Sequence, residues 1–153
     1  MKESKFLPSK EKKEFLKLIE KQWGVIPTQL KQAAFFKSEK NKIYMLTKEI
    51  DKLELEKFKI SSIGLYIAEM KNAQVRLSIE GSQLIGPTAT QNVVEITMEE
   101  LKRWLQGQDL ERAGSWEGFV ILKHKKDFVG SGKYKEGIIM NYVPKARRLR
   151  EVV

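Results

Sequence analysis

The sequence predicts an α+β protein, on the evidence of one helical periodicity and several short strand-like segments. Apolar residues recur at the spacing of an amphipathic helix across residues 15–23. Gln74–Ile79 alternates apolar with polar residues, as a strand with one buried face does. Three more short apolar segments lie at about ten-residue spacing between residues 118 and 143, and this favours a small barrel or a rolled sheet.

The first half of the chain predicts mixed α/β structure that begins with a helix and a hairpin. Ser9 is the expected N-cap of the first helix, and Gly24 is expected to end it. Ala33–Lys37 and Lys42–Leu46 are predicted strands. They flank the polar tetrapeptide Ser38–Asn41, which is typical of a hairpin turn.

A short helix and a further strand are predicted to follow the hairpin. Thr47 is expected to cap the helix, which runs to Leu53 or Leu55, and Ile60–Met70 is the predicted strand. The lysines of the first helix are expected to lie on its solvated face, as in ordinary amphipathic surface helices. These lysines are Lys10, Lys12, Lys13, Lys17 and Lys21.

The second half predicts mainly β-structure with two short helices. A helical turn is expected around Ser82–Ile85, and Val93–Ile96 is a predicted strand. Thr97 and Glu100 have the spacing of a capping box, so a second helix is expected to begin there and to end at Gly107. The remaining predicted strands are Gly118–Lys123, Phe128–Lys133 and Ile138–Val143.

Length and composition limit the classes of protein to consider. The chain has 153 residues, of which 41% are hydrophobic and 32% charged, enough for one ordinary domain or two small ones. No apolar run approaches the roughly 18 residues that cross a bilayer, and the first residues lack the apolar core of a signal peptide. The absence of cysteine excludes a disulfide framework and a thiol nucleophile. We therefore expect a soluble, cytoplasmic protein with no membrane contact.

The net charge of +9 favours a polyanionic partner. RNA or DNA is the usual choice for a basic protein, and a lysine-rich solvated surface is the simpler alternative. Residues 1–72 contain sixteen Lys and no Arg, whereas all six Arg lie in residues 73–153. This change in composition predicts two units that meet near residues 71–73.

Candidate catalytic residues are scarce. His124 lies in a run of lysines with only Asp127 nearby, so it lacks the orienting partner that a general base needs. Gly130–Lys133 contains the glycines and lysine of a phosphate-binding loop, but Tyr134 follows where that loop requires Ser or Thr. Glycines that let a strand bend or bulge explain the segment better. We therefore expect no enzymatic activity, no metal and no cofactor.

The basic C-terminal segment carries the clearest sign of a binding surface. Residues 145–150 contain four cations and no acid, and Tyr142 adds an aromatic ring beside them. This combination suits RNA, because bases stack on aromatic rings and phosphates pair with cations. A solvated, disordered tail is the alternative, whereas the apolar residues Leu149, Val152 and Val153 favour docking.

Four segments that occur in a characteristic order carry a resemblance to a known family. They are Val75–Pro87, Gly118–Leu122, Phe128–Lys133 and Asn141–Leu149. Together they resemble a PUA domain, the RNA-binding module named after pseudouridine synthases and archaeosine transglycosylases. The last two segments are most similar to the C-terminal module of archaeal and bacterial RNA cytosine-5 methyltransferases. The resemblance implies a compact β pseudobarrel with short helices, at residues 73–153.

The resemblance also extends to the first half of the chain and indicates where RNA would bind. Residues 1–72 are similar to the small α/β pre-PUA domain that precedes such modules in archaeal proteins and in a eukaryotic ribosome-biogenesis factor, and we expect a protein of the archaeal kind. The resemblance implies an RNA surface formed by Glu80–Gly86 and Asn141–Arg148. The methyltransferases attack the base with a cysteine, which this sequence lacks. We therefore expect a module that holds RNA without carrying out the reaction.

The sequence as a whole predicts a stand-alone protein that recognises structured tRNA or rRNA, in RNA modification or ribosome biogenesis. The alternatives are a ribosome-assembly or translation factor and an accessory subunit of an RNA-modifying enzyme, each acting mainly through a protein partner. Cations are expected to contact phosphates, and glycines to let the backbone approach the RNA closely. The predicted RNA-binding residues are Arg76, Gly81, Ser82, Gln83, Gly86, Lys123, Lys125, Lys126, Tyr142, Lys145, Arg147, Arg148 and Arg150.

Overall fold

A computed structural model describes residues 5–46 and 64–150, and within these ranges the chain forms two five-stranded sheets and four α-helices. The helices are α1 (Ser9–Trp23), α2 (Thr28–Gln32), α3 (Ile79–Ile85) and α4 (Met98–Leu105). The strands are β1 (Lys5–Phe6), β2 (Ala34–Lys37), β3 (Lys42–Leu46), β4 (Leu65–Lys71), β5 (Gln74–Leu77), β6 (Val93–Glu95), β7 (Leu110–Glu111), β8 (Gly118–His124), β9 (Asp127–Lys135) and β10 (Ile138–Met140). None of the described helices is long and apolar enough to span a membrane.

The first sheet is an antiparallel meander in the order β1-β2-β3-β4-β5, and α1 packs its apolar face against the core. The predicted hairpin between β2 and β3 is confirmed. The helix predicted after Thr47 and residues 60–63 of the following predicted strand lie outside the described residues.

The prediction is correct for the C-terminal end of α1 and wrong for its N-terminal end. Gly24 is confirmed as the C-cap, because it has the left-handed φ of 88° and donates its amide to the Glu20 carbonyl. Ser9 was predicted as the N-cap, and this is wrong: Pro8 takes that position and Ser9 is the first helical residue. Pro8 has the extended backbone of an N-cap, and its carbonyl accepts the first helical hydrogen bond, from Lys12.

The second sheet has the order β6-β8-β9-β10-β7, in which β6 lies parallel to β8 and the other pairs are antiparallel. The sheet curls into a half-barrel, which confirms the predicted α+β fold with a PUA-like β pseudobarrel and short helices. The capping box at the start of α4 is also confirmed, since Thr97 and Glu100 bond each other's backbone amides. The last predicted strand ends at Met140 rather than Val143, because Asn141 turns away to bond α4.

One apolar core joins the two sheets. Phe119 and Ile121 of β8 pack in the same cluster as Phe15 of α1 and Ile67 of β4. The amide of Gln22, near the end of α1, adds a polar link to the first sheet: its Nε2 donates to the Val75 carbonyl at 2.8 Å and its Oε1 accepts from the Val75 amide at 2.7 Å. The packing of α1 therefore holds both sheets in place.

The change in composition at residues 71–73 falls in the turn between β4 and β5. Asn72 and Ala73 form this turn with positive φ values of 52° and 59°. The strands on either side pair with each other, so Gln74–Leu77 belongs to the first sheet. The division of the chain into units 1–72 and 73–153 stays a prediction.

We expect Gln22→Ala to lower the free energy of unfolding by about 2 kcal/mol, since it removes two hydrogen bonds of about 1 kcal/mol each. Urea denaturation of the full chain measures this change. Gln32→Ala is the matched control. Gln32 is an exposed helical residue, and its side chain forms no hydrogen bond in the described structure. Equal stability of the two variants would show that the Gln22 contact does not hold the sheet edge.

Candidate nucleic-acid interface

A groove runs along the line where the two sheets meet. It consists of three neighbouring cavities of about 320, 200 and 480 Å³. The first two share Arg76 and Tyr142 in their walls, and the last two share Asn72, Gln74 and Phe119. We call the whole the junction groove and its 320 Å³ cavity the cleft.

The alternation of β5 places Arg76 in this groove. Val75 and Leu77 are buried on the core face of the strand, so the residue between them points to the opposite face. There the guanidinium pairs with Glu69, its cross-strand partner on β4. It also lies 4.6 Å from the ring centre of Tyr142, which brings the C-terminal segment against the first sheet.

Two further cations in the groove lie over aromatic rings. The Lys42 ammonium is 5.3 Å from the ring centre of Tyr66, and the Lys133 ammonium is 5.9 Å from that of Phe119. The Phe119 ring lies 5.9 Å from the Tyr142 ring, so these two rings adjoin, with Phe119 buried at 7% exposure and Tyr142 exposed at 37%. Rings and cations side by side can stack bases and attract phosphates.

Tyr66 is held in its protonated form. Burial raises the pKa of its phenol above the ordinary value, and the negative charge of Glu69 raises it further, although Arg76 acts in the opposite direction. The Tyr66 hydroxyl is therefore a neutral donor and acceptor at physiological pH.

The second arginine of the groove is also paired with a carboxylate. Arg147 Nη1 donates to both carboxylate oxygens of Glu80, at 2.8 Å each. Partial burial acts to raise the pKa of Glu80, but the hydrogen bonds from Arg147 and from its own backbone outweigh burial and hold the pKa below the ordinary value. Among the described residues, no group of three or more acidic or histidine side chains lies close enough to hold a metal ion.

Hydrogen bonds hold the C-terminal segment to the fold as far as Leu149, although residues 144–150 are exposed and the Leu149 side chain, expected to favour docking, is 46% exposed. Asn141 Nδ2 donates to the Trp104 carbonyl at 2.9 Å, and the Leu149 amide donates to the Leu105 carbonyl at 2.8 Å, both on α4. Arg148 Nε donates to a carbonyl of its own segment at 2.9 Å. These bonds fix Tyr142 and Arg147 in the groove wall.

Ser131 of β9 lies in the wall of the cleft with its hydroxyl unpaired. The residue is 4% exposed, and its Oγ is a buried atom with no hydrogen-bond partner in the described structure. A buried polar group left without a partner costs about 1–3 kcal/mol.

The predicted RNA-binding residues fall into separate places. Arg76, Tyr142 and Arg147 come together in the cleft. Gly81 and Gly86 are buried, and a Cβ atom would lie 2.0 Å from the Ile67 carbonyl oxygen or 2.2 Å from the Phe128 ring. Close packing inside the protein thus explains both glycines, and their contact with RNA stays a prediction.

The other predicted residues do not line the junction groove. Ser82 is fully buried and donates its hydroxyl to the Ile79 carbonyl at 2.6 Å, while Gln83 beside it is exposed. One lysine lies near the end of β8, two more form the turn between β8 and β9, and three cations lie along the C-terminal segment. These residues are Lys123, Lys125 and Lys126, and Lys145, Arg148 and Arg150.

Sequence reasoning missed Lys42, Tyr66, Phe119 and Lys133, which complete the groove. Each comes from a different strand or strand end, so no short motif contains them. Their placement depends on strand register, which includes an irregularity between Ile43 and Tyr44 where β3 pairs with β4. The sequence indicates only that a lysine or a tyrosine lies on the polar face of a strand, and this does not predict a binding site.

The curled second sheet, together with the C-terminal segment held against α4, has the PUA-like fold. Residues 91–149 match the family model described as the methyltransferase RsmF PUA domain. This match agrees with the PUA resemblance predicted from the sequence.

Curated relatives of the chain are larger proteins. The ribosomal RNA small subunit methyltransferase F of Aeromonas hydrophila is 28% identical over 142 residues, which cover 91% of this chain and 28% of that protein. The protein of the same name from Vibrio atlanticus is 27% identical over 89 residues, covering 58% of this chain and 19% of the relative. The chain thus spans less than a third of their length. Both organisms are bacteria, so the archaeal expectation finds no support in them.

We expect one tyrosine of the folded protein to titrate above the ordinary pKa of about 10, and this component to be absent from Tyr66→Phe. The direction follows from burial of the phenol, which disfavours the phenolate. Ultraviolet absorbance of the phenolate, followed against pH, measures it. Tyr142→Phe serves as the control, and loss of the high component from that variant instead would contradict the assignment.

Proposed function

We propose that this chain is an RNA-binding module that recognises structured RNA through the junction groove. The observation that carries the proposal is the row of aromatic rings, each with a cation over it, along a continuous groove. Single-stranded and irregular RNA is bound by this combination of stacking and charge. The match of residues 91–149 to the model of the methyltransferase RsmF PUA domain supports the same function.

The groove offers two kinds of cation. Arg76 and Arg147 already pair with carboxylates, and they contribute flat guanidinium surfaces more than free charge. Lys42, Lys71 and Lys133 line the groove without an ion pair in the described structure. These lysines are the proposed phosphate contacts, since none of them forms an ion pair in the described structure and each keeps its charge for a ligand.

Ribosomal RNA is the favoured class of partner. The curated relatives are named as methyltransferases of small-subunit ribosomal RNA, which supports ribosomal over transfer RNA. In this proposal the residues of the chain hold the RNA and carry out no chemistry of their own. All residues that line the groove belong to this chain, so the chain itself is the material for the test.

We expect Lys71→Ala/Lys133→Ala to weaken binding to a folded ribosomal RNA hairpin and to reduce the salt dependence. The slope of log affinity against log salt should fall in magnitude by about one for each lost phosphate contact. Fluorescence anisotropy at several salt concentrations measures affinity and slope together, with duplex DNA of the same length as a second ligand.

Lys13→Ala/Lys17→Ala is the matched control, because it removes the same charge from the exposed face of α1. A third variant, Lys125→Ala/Lys126→Ala, tests the turn between β8 and β9. Equal loss in all three variants, or equal binding to RNA and DNA by the unchanged chain, would reduce the interaction to generic electrostatics and contradict the proposal.

A further inference from the structure

The 480 Å³ cavity of the junction groove differs from the other two in the charge of its lining. It lies where the end of α1 meets the β4–β5 turn and the segments that precede β6 and β8. The other two cavities have more cations than acids in their walls, whereas the charged residues described in this wall are one cation and one acid, Lys21 and Glu117. We call this cavity the amide pocket, because five side-chain amides line it: Gln22, Asn72, Gln74, Gln91 and Asn92.

Three of these amides keep hydrogen-bonding groups available for a ligand. Gln91 Nε2 donates to the Lys21 carbonyl at 2.8 Å, and its Oε1 has no partner in the described structure. The side chains of Asn72 and Gln74 form no hydrogen bond with the described residues. Gly118 stands beside the Gln74 amide without a side chain to cover it, since a Cβ atom there would lie 3.7 Å from the amide nitrogen. The pocket therefore presents donors and acceptors side by side.

This lining suits the hydroxyl groups of a sugar better than a phosphate or a base. A phosphate needs an excess of positive charge, and Lys21 and Glu117 leave the wall with none. A base needs an open ring on which to stack, and Phe119, the aromatic residue of this wall, is only 7% exposed. A hydroxyl both donates and accepts, as the amides do, and it carries no charge.

The amide pocket continues from the cavity that contains two of the proposed phosphate contacts. Asn72, Gln74 and Phe119 line both cavities. Lys71 precedes Asn72 in the chain, and the Lys133 ammonium lies 5.9 Å from the Phe119 ring centre. An RNA strand whose phosphates contact these two lysines therefore extends its riboses toward the amides.

We propose that the amide pocket binds 2′-hydroxyl groups of the RNA strand in the junction groove. The amides of Asn72 and Gln74 donate to these hydroxyls, and Gln91 Oε1 accepts from them. The 2′-hydroxyl is the group by which a protein distinguishes RNA from DNA, so the pocket makes the groove selective for RNA. This inference rests on the proposed RNA binding and adds the part of the nucleotide that the protein recognises.

The test compares two hairpins of the same sequence, one of ordinary RNA and one with 2′-fluoro groups throughout. A 2′-fluoro sugar keeps the pucker of RNA but donates no hydrogen bond, so the helix shape and the phosphate charge stay the same. The full chain should bind the ordinary hairpin about five- to tenfold more tightly, as one or two hydrogen bonds provide. Fluorescence anisotropy with labelled hairpins measures both affinities.

Asn72→Gly/Gln74→Met assigns this preference to the amide pocket. The variant removes two amides and no charge, and glycine adopts the positive φ of 52° that Asn72 has in its turn. It should bind both hairpins with the affinity that the unchanged chain has for the 2′-fluoro hairpin. Its salt dependence should stay unchanged, since no phosphate contact is lost. Gln74→Met alone, which leaves the turn as it is, should reduce the preference by about two- to threefold.

Asn41→Gly/Gln32→Met is the matched control, because it makes the same two substitutions outside the groove. Asn41 has a positive φ of 64° in the turn between β2 and β3, and Gln32 is an exposed residue at the end of α2. Neither residue lines any of the three cavities. This variant should keep the full preference for the ordinary hairpin.

The outcomes separate this inference from the proposed function. Equal affinity of the unchanged chain for the two hairpins would overturn the role of the amide pocket and leave RNA binding in the groove standing. A preference that survives in Asn72→Gly/Gln74→Met, or that is lost equally in the control variant, would also overturn it, since the pocket amides would then not bind the hydroxyls. Failure to bind either hairpin would overturn the proposed function and this inference with it.

Discussion

The side-chain amide of Gln22 is the contact on which the arrangement of the two sheets most directly depends. It bonds both backbone groups of Val75, as a neighbouring strand would, and so closes the outer edge of β5. The Gln22 carbonyl accepts a hydrogen bond from the Asn92 side chain at 2.5 Å, and the Asn92 carbonyl accepts one from the Ile121 amide at 2.8 Å. A chain of four hydrogen bonds thus runs from one sheet to the other through the end of α1.

The junction groove is a consequence of this link. Val75 is fixed with its side chain in the core, so its neighbour Arg76 must lie on the groove face of β5. Phe119 stands two residues from Ile121 on β8 and meets the groove from the second sheet. The polar link and the shared core therefore set the distances between the aromatic and cationic side chains of the two sheets.

The sequence predicts the helix caps and the hairpin of this protein correctly, whereas it does not predict which distant residues meet in the groove. The capping box of Thr97 and Glu100, the stop at Gly24 and the hairpin after β2 depend on residues within a few positions of each other. The groove depends on strand register and on the docking of Asn141 against α4. Arg76, Tyr142 and Arg147 could be named as candidates from their chemistry, but the partners that define their roles lie far away in the chain.

Charge compensation decides which of the basic residues can serve as phosphate contacts. Three of the six arginines of the C-terminal half, including both that line the cleft, are paired with carboxylates: Arg147 with Glu80, Arg112 with Glu100 and Arg76 with Glu69. An ion pair of this kind fixes the guanidinium in space and removes most of its charge at a distance. The long-range attraction for a polyanion then falls to the unpaired lysines, and the paired arginines keep the geometry needed for stacking. In the proposed function, the lysines then supply affinity and the paired arginines supply selectivity.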